Sequence, residues 1–226
     1  MSQRKYYHAY DDRYKQVHDK NLVWFGDAPS EIVETTIKKY AIDKNHKMLE
    51  IGCGEGRDAF SLLKQGFNLL ATDVSPTAIS FCQSKMQDNE ERFRILDCIT
   101  DSVFDQFNFI YAVAVLHMLV PDSDRNAFYR FIYQHLTHDG LALICTMGDG
   151  IKQHQTDVST AFDIQNRIHE PSNTPLKIAN TSCRIVNFTT FTSEIVRNHL
   201  TVVEQGITSI KPDFPQMMYA VVRKEC

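Results

Sequence analysis

The sequence predicts a single α/β domain built on an open, mostly parallel sheet with helices on both faces, and three observations carry that prediction. Short apolar runs alternate with helix-forming runs between residues 47 and 147, the rhythm of strand–helix–strand units. The run 107–115, FNFIYAVAV, is apolar almost throughout, which suits a strand covered on both faces better than one with a wet face. Three glycines fall within five positions, Gly52, Gly54 and Gly56, between the first apolar run and the first helical one.

Residues 1–45 read as an N-terminal helical extension. Within it, SEIVETTIKKY (30–40) is weakly amphipathic and follows Pro29, with Ser30 in position to cap a helix. Tyr6, Tyr7, Tyr10, Tyr14 and Trp24 make the stretch aromatic and suit either a lid that excludes water from a site or simple docking of the extension onto the domain. The core spans 46–147 and reads as strand 47–51, helix 57–64, strand 67–72, helix 76–86, strand 93–96, strand 107–115, helix 121–136 and strand 141–147. Pro76 stands near the first turn of its helix, where a missing N–H costs nothing. Asp122 and Asp124 stand near the positive end of theirs. Residues 148–190 break the rhythm, being polar with scattered Gly, Asn, Thr and Pro and a short helix over 158–168. A structureless run of that length is uncommon in a compact domain, so a functional cap is expected there. The remainder, 191–226, predicts a helix over 192–200 and strands over 202–207 and 217–223.

Composition narrows the function classes. A chain of 226 residues supports one sizeable core. Its 43% hydrophobic and 23% charged residues are those of an ordinary globular domain, and no apolar run reaches the roughly 18 residues a membrane-spanning helix needs. The start, MSQRKYYHAYDDRYK, lacks the apolar stretch of a secretory signal, and a cytoplasmic location is expected. A net charge of −4 exerts no general pull on phosphate backbones, so neither a nucleic acid nor a membrane is the expected partner. The six cysteines, Cys53, Cys82, Cys98, Cys145, Cys183 and Cys226, form no C-x-x-C pair and no zinc-finger spacing with histidine, and read as free thiols. His154, Asp157 and His169 lack a diagnostic ligand spacing, and no metal is expected.

A strand, a glycine-rich turn and a helix would place unblocked backbone amides and a helix N-terminus at the carboxyl edge of the sheet, where open α/β folds bind nucleotides. The dinucleotide fingerprint G-x-G-x-x-G would need glycine at the position of Arg57, and a P-loop would continue into Gly-Lys-Ser/Thr; neither is present. Instead an acid, Glu50, stands two residues before Gly52. This stretch, LEIGCGEGR, resembles the first motif of the class I S-adenosylmethionine-dependent methyltransferases: an acidic residue, any residue, then G-x-G-x-G. The resemblance extends over about residues 45–147. LLATDVS carries Asp73 after the second strand and RILDC carries Asp97 after the third, while FNFIYAVAVLHML matches the fourth strand and its turn. HLTHDGLALI is similar to the family's L-x-P-G-G passage, with Thr137, His138 and Asp139 replacing its usual leading residues. Within the superfamily, GEGRDAFSLLKQGFNLLATDVSPTAI most resembles the small-molecule branch that includes tellurite and thiol methyltransferases.

The resemblance implies a Rossmann-like sheet of seven strands, the last antiparallel, with a small cap and S-adenosylmethionine as cofactor. It implies cofactor contacts from Glu50, Gly52, Cys53, Gly54, Gly56 and Arg57 in the first turn, Asp73 and Val74 after the second strand, Asp97 and Cys98 after the third, and Val113 in the fourth. Asp73 would accept from both ribose hydroxyls, although Asp73-Val74-Ser75-Pro76 also fits a helix cap. Asp97 would meet the adenine amino group, with Asp101 and Asp105 close by in sequence. Glu50 either touches ligand or ties down the loop; Cys53 and Cys98 supply backbone contacts and packing. His117, just past the fourth strand, is the candidate general base for a hydroxyl or amine acceptor, with packing in the turn as its other reading. Tyr10, Tyr14 and Trp24 are candidate acceptor contacts, and Phe162, Arg167, His169 and Arg184 in the cap are expected to shape acceptor choice.

The expected function is transfer of a methyl group to a small-molecule acceptor by direct displacement. A thioether leaves without a proton, so alignment carries the chemistry and no Ser-His-Asp or metal constellation is required. Methylation of protein or RNA would call for a basic or aromatic mouth, and the N-P-P-Y-like motif that would support it is missing after the fourth strand. A non-catalytic cofactor-binding domain is the third reading, because binding is not turnover. The sequence carries no signal for oligomeric state.

Overall fold

The computed structural model describes residues 4–24, 26, 28–169, 172–210 and 214–225. After a single helical turn at Tyr6–His8 come α1 (Ala9–His18) and α2 (Glu31–Lys39). The core follows as β1 (Met48–Ile51), α3 (Arg57–Lys64), β2 (Leu69–Asp73), α4 (Pro76–Lys85), β3 (Phe93–Ile95), β4 (Phe107–Val113), α5 (Asp122–His135) and β5 (Leu136–Met147). Short strands β6 (His154–Gln155), β7 (Ile164–His169), β8 (Thr174–Ala179) and β9 (Arg184–Ile185) lead to α6 (Phe188–Arg197), β10 (Leu200–Ile210) and β11 (Phe214–Lys224).

The main sheet has seven strands in the order β10-β11-β5-β4-β1-β2-β3. β1 pairs in parallel with both β2 and β4, and β11 alone runs antiparallel, to β5 on one side and β10 on the other. The expected sheet is therefore present, with the antiparallel strand last in the chain. Alternation along the strands sends side chains to two cores. Leu49, Ile51, Ile110 and Ala112 pack with Phe128 and Ile132 of α5 and Phe191 and Ile195 of α6. Met48, Phe109, Tyr111 and Val113 pack on the other face with α2, α3 and α4 through Val33, Ile37, Leu62, Ile79 and Cys82. Each such fully buried large side chain contributes roughly 1.5–3 kcal/mol. Double coverage explains why β4 reads as an unbroken apolar run.

Several local expectations need correction. Ser30 precedes α2 but its side chain does not cap it; Ser30 Oγ donates instead to Asp58 Oδ2 at 2.8 Å, tying α2 to α3. The helix expected over 158–168 is a single turn at Val158–Thr160 followed by β7. Strand pairing overrides local propensity here: β7 zips to β8 from Ile164↔Ala179 to His169↔Thr174, and β8 then buries Leu176 and Ile178 against Val17 of α1. β5 starts at Leu136, directly after α5, so residues expected as a loop belong to the strand. α6 starts at Phe188, ahead of the expected 192, because Asn187 Oδ1 accepts from Thr190 N at 2.9 Å and fixes its first turn. Cys226 lies outside the described residues; Cys53, Cys82, Cys98, Cys145 and Cys183 are free thiols.

One buried ion pair holds the turn after β4. Arg125 of α5, 1% exposed, donates from Nε and Nη2 to the two carboxylate oxygens of Glu194 on α6 at 2.8 and 2.6 Å. Its Nη1 donates to Leu116 O and Leu119 O, and Tyr129 adds its hydroxyl to Glu194. Removing one partner of such a pair leaves an uncompensated buried charge. Glu194→Ala is expected to destabilise the fold by about 3–5 kcal/mol in urea unfolding, with Glu194→Gln retaining part of the loss.

Candidate functional site

The carboxyl ends of β1, β2, β3 and β4 open into a cavity of about 780 Å³, a size suited to a small ligand. Its floor is the glycine turn. Gly52, Gly54 and Gly56 have φ of +75°, +53° and +84°, so the chain reverses through left-handed backbone that side chains resist. A Cβ on Gly52 would overlap Val115 Cγ2, and one on Gly54 would stand 2.7 Å from the Tyr14 hydroxyl.

The amides of Gly52, Cys53, Gly54 and Gly56 are not open donors, contrary to the expectation from sequence. Gly52 N and Cys53 N both donate to Thr72 O, at 2.7 and 2.8 Å, and Gly56 N donates to Cys53 O. Gly54 N donates to Asp73 Oδ2 at 2.8 Å. Through Gly52, Cys53 and Gly54 the turn thus lashes itself to β2, and it offers a ligand bare Cα surface at Gly52 and Gly54.

Asp73 ends β2 and is buried. Its second oxygen accepts from Ser75 N at 2.8 Å, and Ser75 Oγ in turn caps α4 by accepting from Ala78 N. Asp73 therefore supports the cap through Ser75 rather than capping α4 itself. Burial pushes its carboxyl up to about 6 while the amides of Ser75 and Gly54 pull it down. Asp97, after β3, accepts from the Tyr7 hydroxyl at 2.8 Å and from Ile99 N at 2.9 Å, and its own amide donates to Asp101. Asp105 is engaged elsewhere, with Lys47. Glu50 is buried; it accepts from the Tyr111 hydroxyl at 3.0 Å, and its backbone carbonyl accepts from Thr72 Oγ1. Burial first, then the charge of Asp58, holds its carboxyl well above the usual range.

The roof is α1. Asp11 accepts from Ser75 Oγ at 2.6 Å and from Thr77 N at 3.0 Å, and His18 Nε2 lies 2.8 Å from Glu55 Oε1. Tyr7, Tyr10 and Tyr14 face the cavity from this helical segment, and Tyr10 donates to Ser182 O at 3.3 Å. Arg13, on the far side, spreads its guanidinium over Ala179 O, Asn180 O and Thr181 Oγ1, joining the roof to the end of β8.

Glu50, Gly52, Cys53, Gly54, Arg57, Asp73, Val74, Asp97, Cys98 and Val113 all line the cavity, together with Tyr10 and Tyr14. Three candidates stand elsewhere. Gly56 caps the start of α3 behind the floor. Trp24 gives its backbone N–H to Glu55 and packs its ring among Val17, Leu22, Leu176 and Ile178. His117 is buried, 3% exposed, with its ring 6.1 Å from that of Phe214, and Nδ1 has no hydrogen-bond partner among the described residues. Burial, with the charges of Arg125 and Arg13, holds it down to about 3, so it is neutral at ordinary pH. In the cap, Arg184 reaches Asp122 and Val120 O, and His169 pairs with Val23 O and Ser172 Oγ. Among the described residues no group of three or more His, Cys, Asp or Glu is placed to hold a metal ion.

Sequence reasoning missed Asp11, Glu55, Met118, Leu119 and Phe214. Glu55 is an unspecified position of the glycine motif. Phe214 comes from β11, and nothing in the sequence links it to the first turn; both line the cavity.

Residues 49–142 match a family described as a methyltransferase domain. A protein of Geobacillus sp. (strain WCH70) named as a methyltransferase is 28% identical over 130 residues, 52% of this chain and 49% of the relative. The ubiquinone biosynthesis O-methyltransferase of Rickettsia canadensis (strain McKiel) is 26% identical over 117 residues, 51% of this chain and 49% of the relative. The match thus spans about half the length of these curated relatives. The crystal structure of Burkholderia thailandensis 1,6-didemethyltoxoflavin-N1-methyltransferase, with bound 1,6-didemethyltoxoflavin and S-adenosylhomocysteine, superposes with a TM-score of 0.70 at 17% identity, covering 96% of this chain and 88% of that one. The CcbJ methyltransferase from Streptomyces caelestis gives 0.69 at 15% identity, covering 96% and 98%. The chain has the Rossmann-like fold of the class I methyltransferases, and its residues 49–142 match a methyltransferase domain.

Proposed function

We propose that the protein is an S-adenosylmethionine-dependent methyltransferase that acts on a small-molecule acceptor. The observation that carries this reading is Asp73, a buried carboxylate bonded to the glycine turn on the wall of a ligand-sized cavity. An ionised carboxylate has about four acceptor sites; the amides of Gly54 and Ser75 take two, and two remain for the adjacent hydroxyls of a ribose. Asp97 offers a second carboxylate for a nitrogen-bound hydrogen, such as that of the adenine amino group. The bare floor at Gly52 and Gly54 lets a ligand approach the backbone closely.

Bound there, S-adenosylmethionine would supply an activated methyl group whose thioether leaves without a proton. The chain's own residues have to hold, align and keep dry. Alignment is worth roughly 7–11 kcal/mol at best. Tyr7, Tyr10 and Tyr14 roof the cavity, and Val115, Met118, Leu119 and Phe214 give it an apolar side. In this reading His117 packs behind that side and takes no proton, since so weak a base has little drive to do so at neutral pH. A roofed cavity of this volume suits a small acceptor rather than a polymer. A structural neighbour that binds a toxoflavin precursor points the same way.

The test is calorimetry with S-adenosylhomocysteine, followed by methyl-transfer assays against thiols, phenols, amines and metalloid oxyanions. Absence of binding at millimolar ligand would end the reading; binding without turnover on any acceptor would favour a silent binding domain. Asp73→Ala is expected to weaken binding by about tenfold to a hundredfold, the loss of one to two charge-assisted hydrogen bonds. Hydroxyl donors favour the ionised carboxylate, and Asp73 titrates at about 6 in the free protein. Affinity is therefore expected at full strength well above pH 6, falling as the pH drops through 6 by up to about tenfold per unit, a slope that Asp73→Asn abolishes.

A further inference from the structure

We propose that Ser182, in the loop after β8, is a positioning residue that sets the gap between the roof of the cavity and its apolar wall, and with it the size of methyl acceptor that fits. The proposal rests on the methyltransferase reading above and adds a determinant of acceptor choice that does not itself touch the ligand.

Ser182 is 1% exposed and stands outside the cavity lining, yet it bonds to two residues that form that lining. Its hydroxyl donates to Met118 O at 2.8 Å, in the turn after β4, and its carbonyl accepts from the Tyr10 hydroxyl of the roof at 3.3 Å. One residue thus joins roof to wall from behind. Within the wall turn, Arg125 holds the carbonyls of Leu116 and Leu119 and Arg184 holds that of Val120, while the carbonyl of Met118 is held by Ser182. Ser182 serves as a fixed post because the chain on both sides of it is pinned. Before it, Arg13 donates to Ala179 O, Asn180 O and Thr181 Oγ1, and Thr181 N donates to Ala161 O at 2.8 Å. After it, Cys183 N donates to Thr156 Oγ1 at 2.9 Å, and Thr156 N returns a bond to Cys183 O. Thr181 has a φ of +65°, a left-handed conformation that a β-branched residue keeps only where its surroundings over-determine it. Displacement at a sulfonium depends on alignment, so a wall held at a fixed distance favours the acceptor that fills the gap. The roof bond goes to a backbone carbonyl, so truncating the Ser182 side chain removes the wall bond alone.

The experiment compares wild type with Ser182→Ala on paired probe acceptors, thiophenol with 2-naphthalenethiol and phenol with 2-naphthol. Calorimetry is expected to show S-adenosylhomocysteine affinity unchanged. The kcat/KM ratio of the larger to the smaller acceptor is expected to rise about threefold to tenfold, the worth of one neutral hydrogen bond. A merely structural loss lowers both members of a pair alike, and an unmoved ratio overturns the assignment. So does weakened S-adenosylhomocysteine affinity, which would make Ser182 a support of the cofactor rather than of the acceptor. Should Ser182→Ala fail to fold, Ser182→Cys fills the same space with a weaker donor and carries the same expectation. A wild type that binds S-adenosylhomocysteine but methylates none of these probes lacks the acceptor gap described, and the inference falls while the cofactor site stands. If the wild type binds no S-adenosylhomocysteine, the methyltransferase reading falls first and this inference with it.

Discussion

The site depends on one carboxylate placed where two turns meet. Asp73 closes β2 and receives an amide from each turn, Gly54 from the loop after β1 and Ser75 from the start of α4. Both turns would otherwise hold buried N–H groups without partners, a costly state in a low-dielectric interior. The same two amides offset the desolvation of the acid and keep an ionised form within reach. Thr72 O, one residue earlier, ties down the first two amides of the glycine turn. The end of β2 therefore shapes the floor of the cavity as much as β1 does.

From that joint the architecture spreads outward in polar steps. Ser75 caps α4 and also donates to Asp11, so the start of a core helix is shared with the lid. Tyr7 reaches Asp97 and His18 reaches Glu55, so with Asp11 on Ser75 the N-terminal helical segment 6–18 meets the rims of three strands at once. Arg13 carries the chain of contacts across to the last residues of β8 and the loop beyond. The lid is held by hydrogen bonds to the core and by apolar packing of Val17 against Leu176 and Ile178 of the cap hairpin. Roof and cap form one body over the carboxyl edge of the sheet.

The acids of the cavity and much of its apolar wall come from different elements. The floor and the strand ends supply Glu50, Asp73 and Asp97, whereas the turn after β4 and the start of β11 supply Met118, Leu119 and Phe214. Arg125 holds that turn through the carbonyls of Leu116 and Leu119, which sets Met118 between two anchored residues. A site that works by alignment needs such rigidity behind its apolar wall more than it needs a titrating group on it.

Much of this was legible in the chain itself, because it is written in local terms. The alternation of apolar and helical runs, the near-unbroken burial of 107–115 and the glycine spacing each concern a few neighbouring residues, and the sheet they announce is the sheet observed. The positions of Asp73 and Asp97 follow, since a residue just past a parallel strand lies at the carboxyl edge whatever surrounds it. What the sequence did not decide depends on partners distant along the chain. The strand over 164–169 exists because β8 pairs with it and α1 covers the hairpin, and no window of its own residues reports that. The amides of Gly52 and Cys53 look open in sequence and are closed by Thr72 O in space. His117 reads either as a base at the mouth or as a histidine packed in the turn, and tertiary packing buries it with its ring 6.1 Å from that of Phe214 and outside the cavity lining. Local periodicity and steric rules set the strands and the turn; burial and hydrogen-bond closure, which only the assembled tertiary structure defines, decided which of their groups face the cavity.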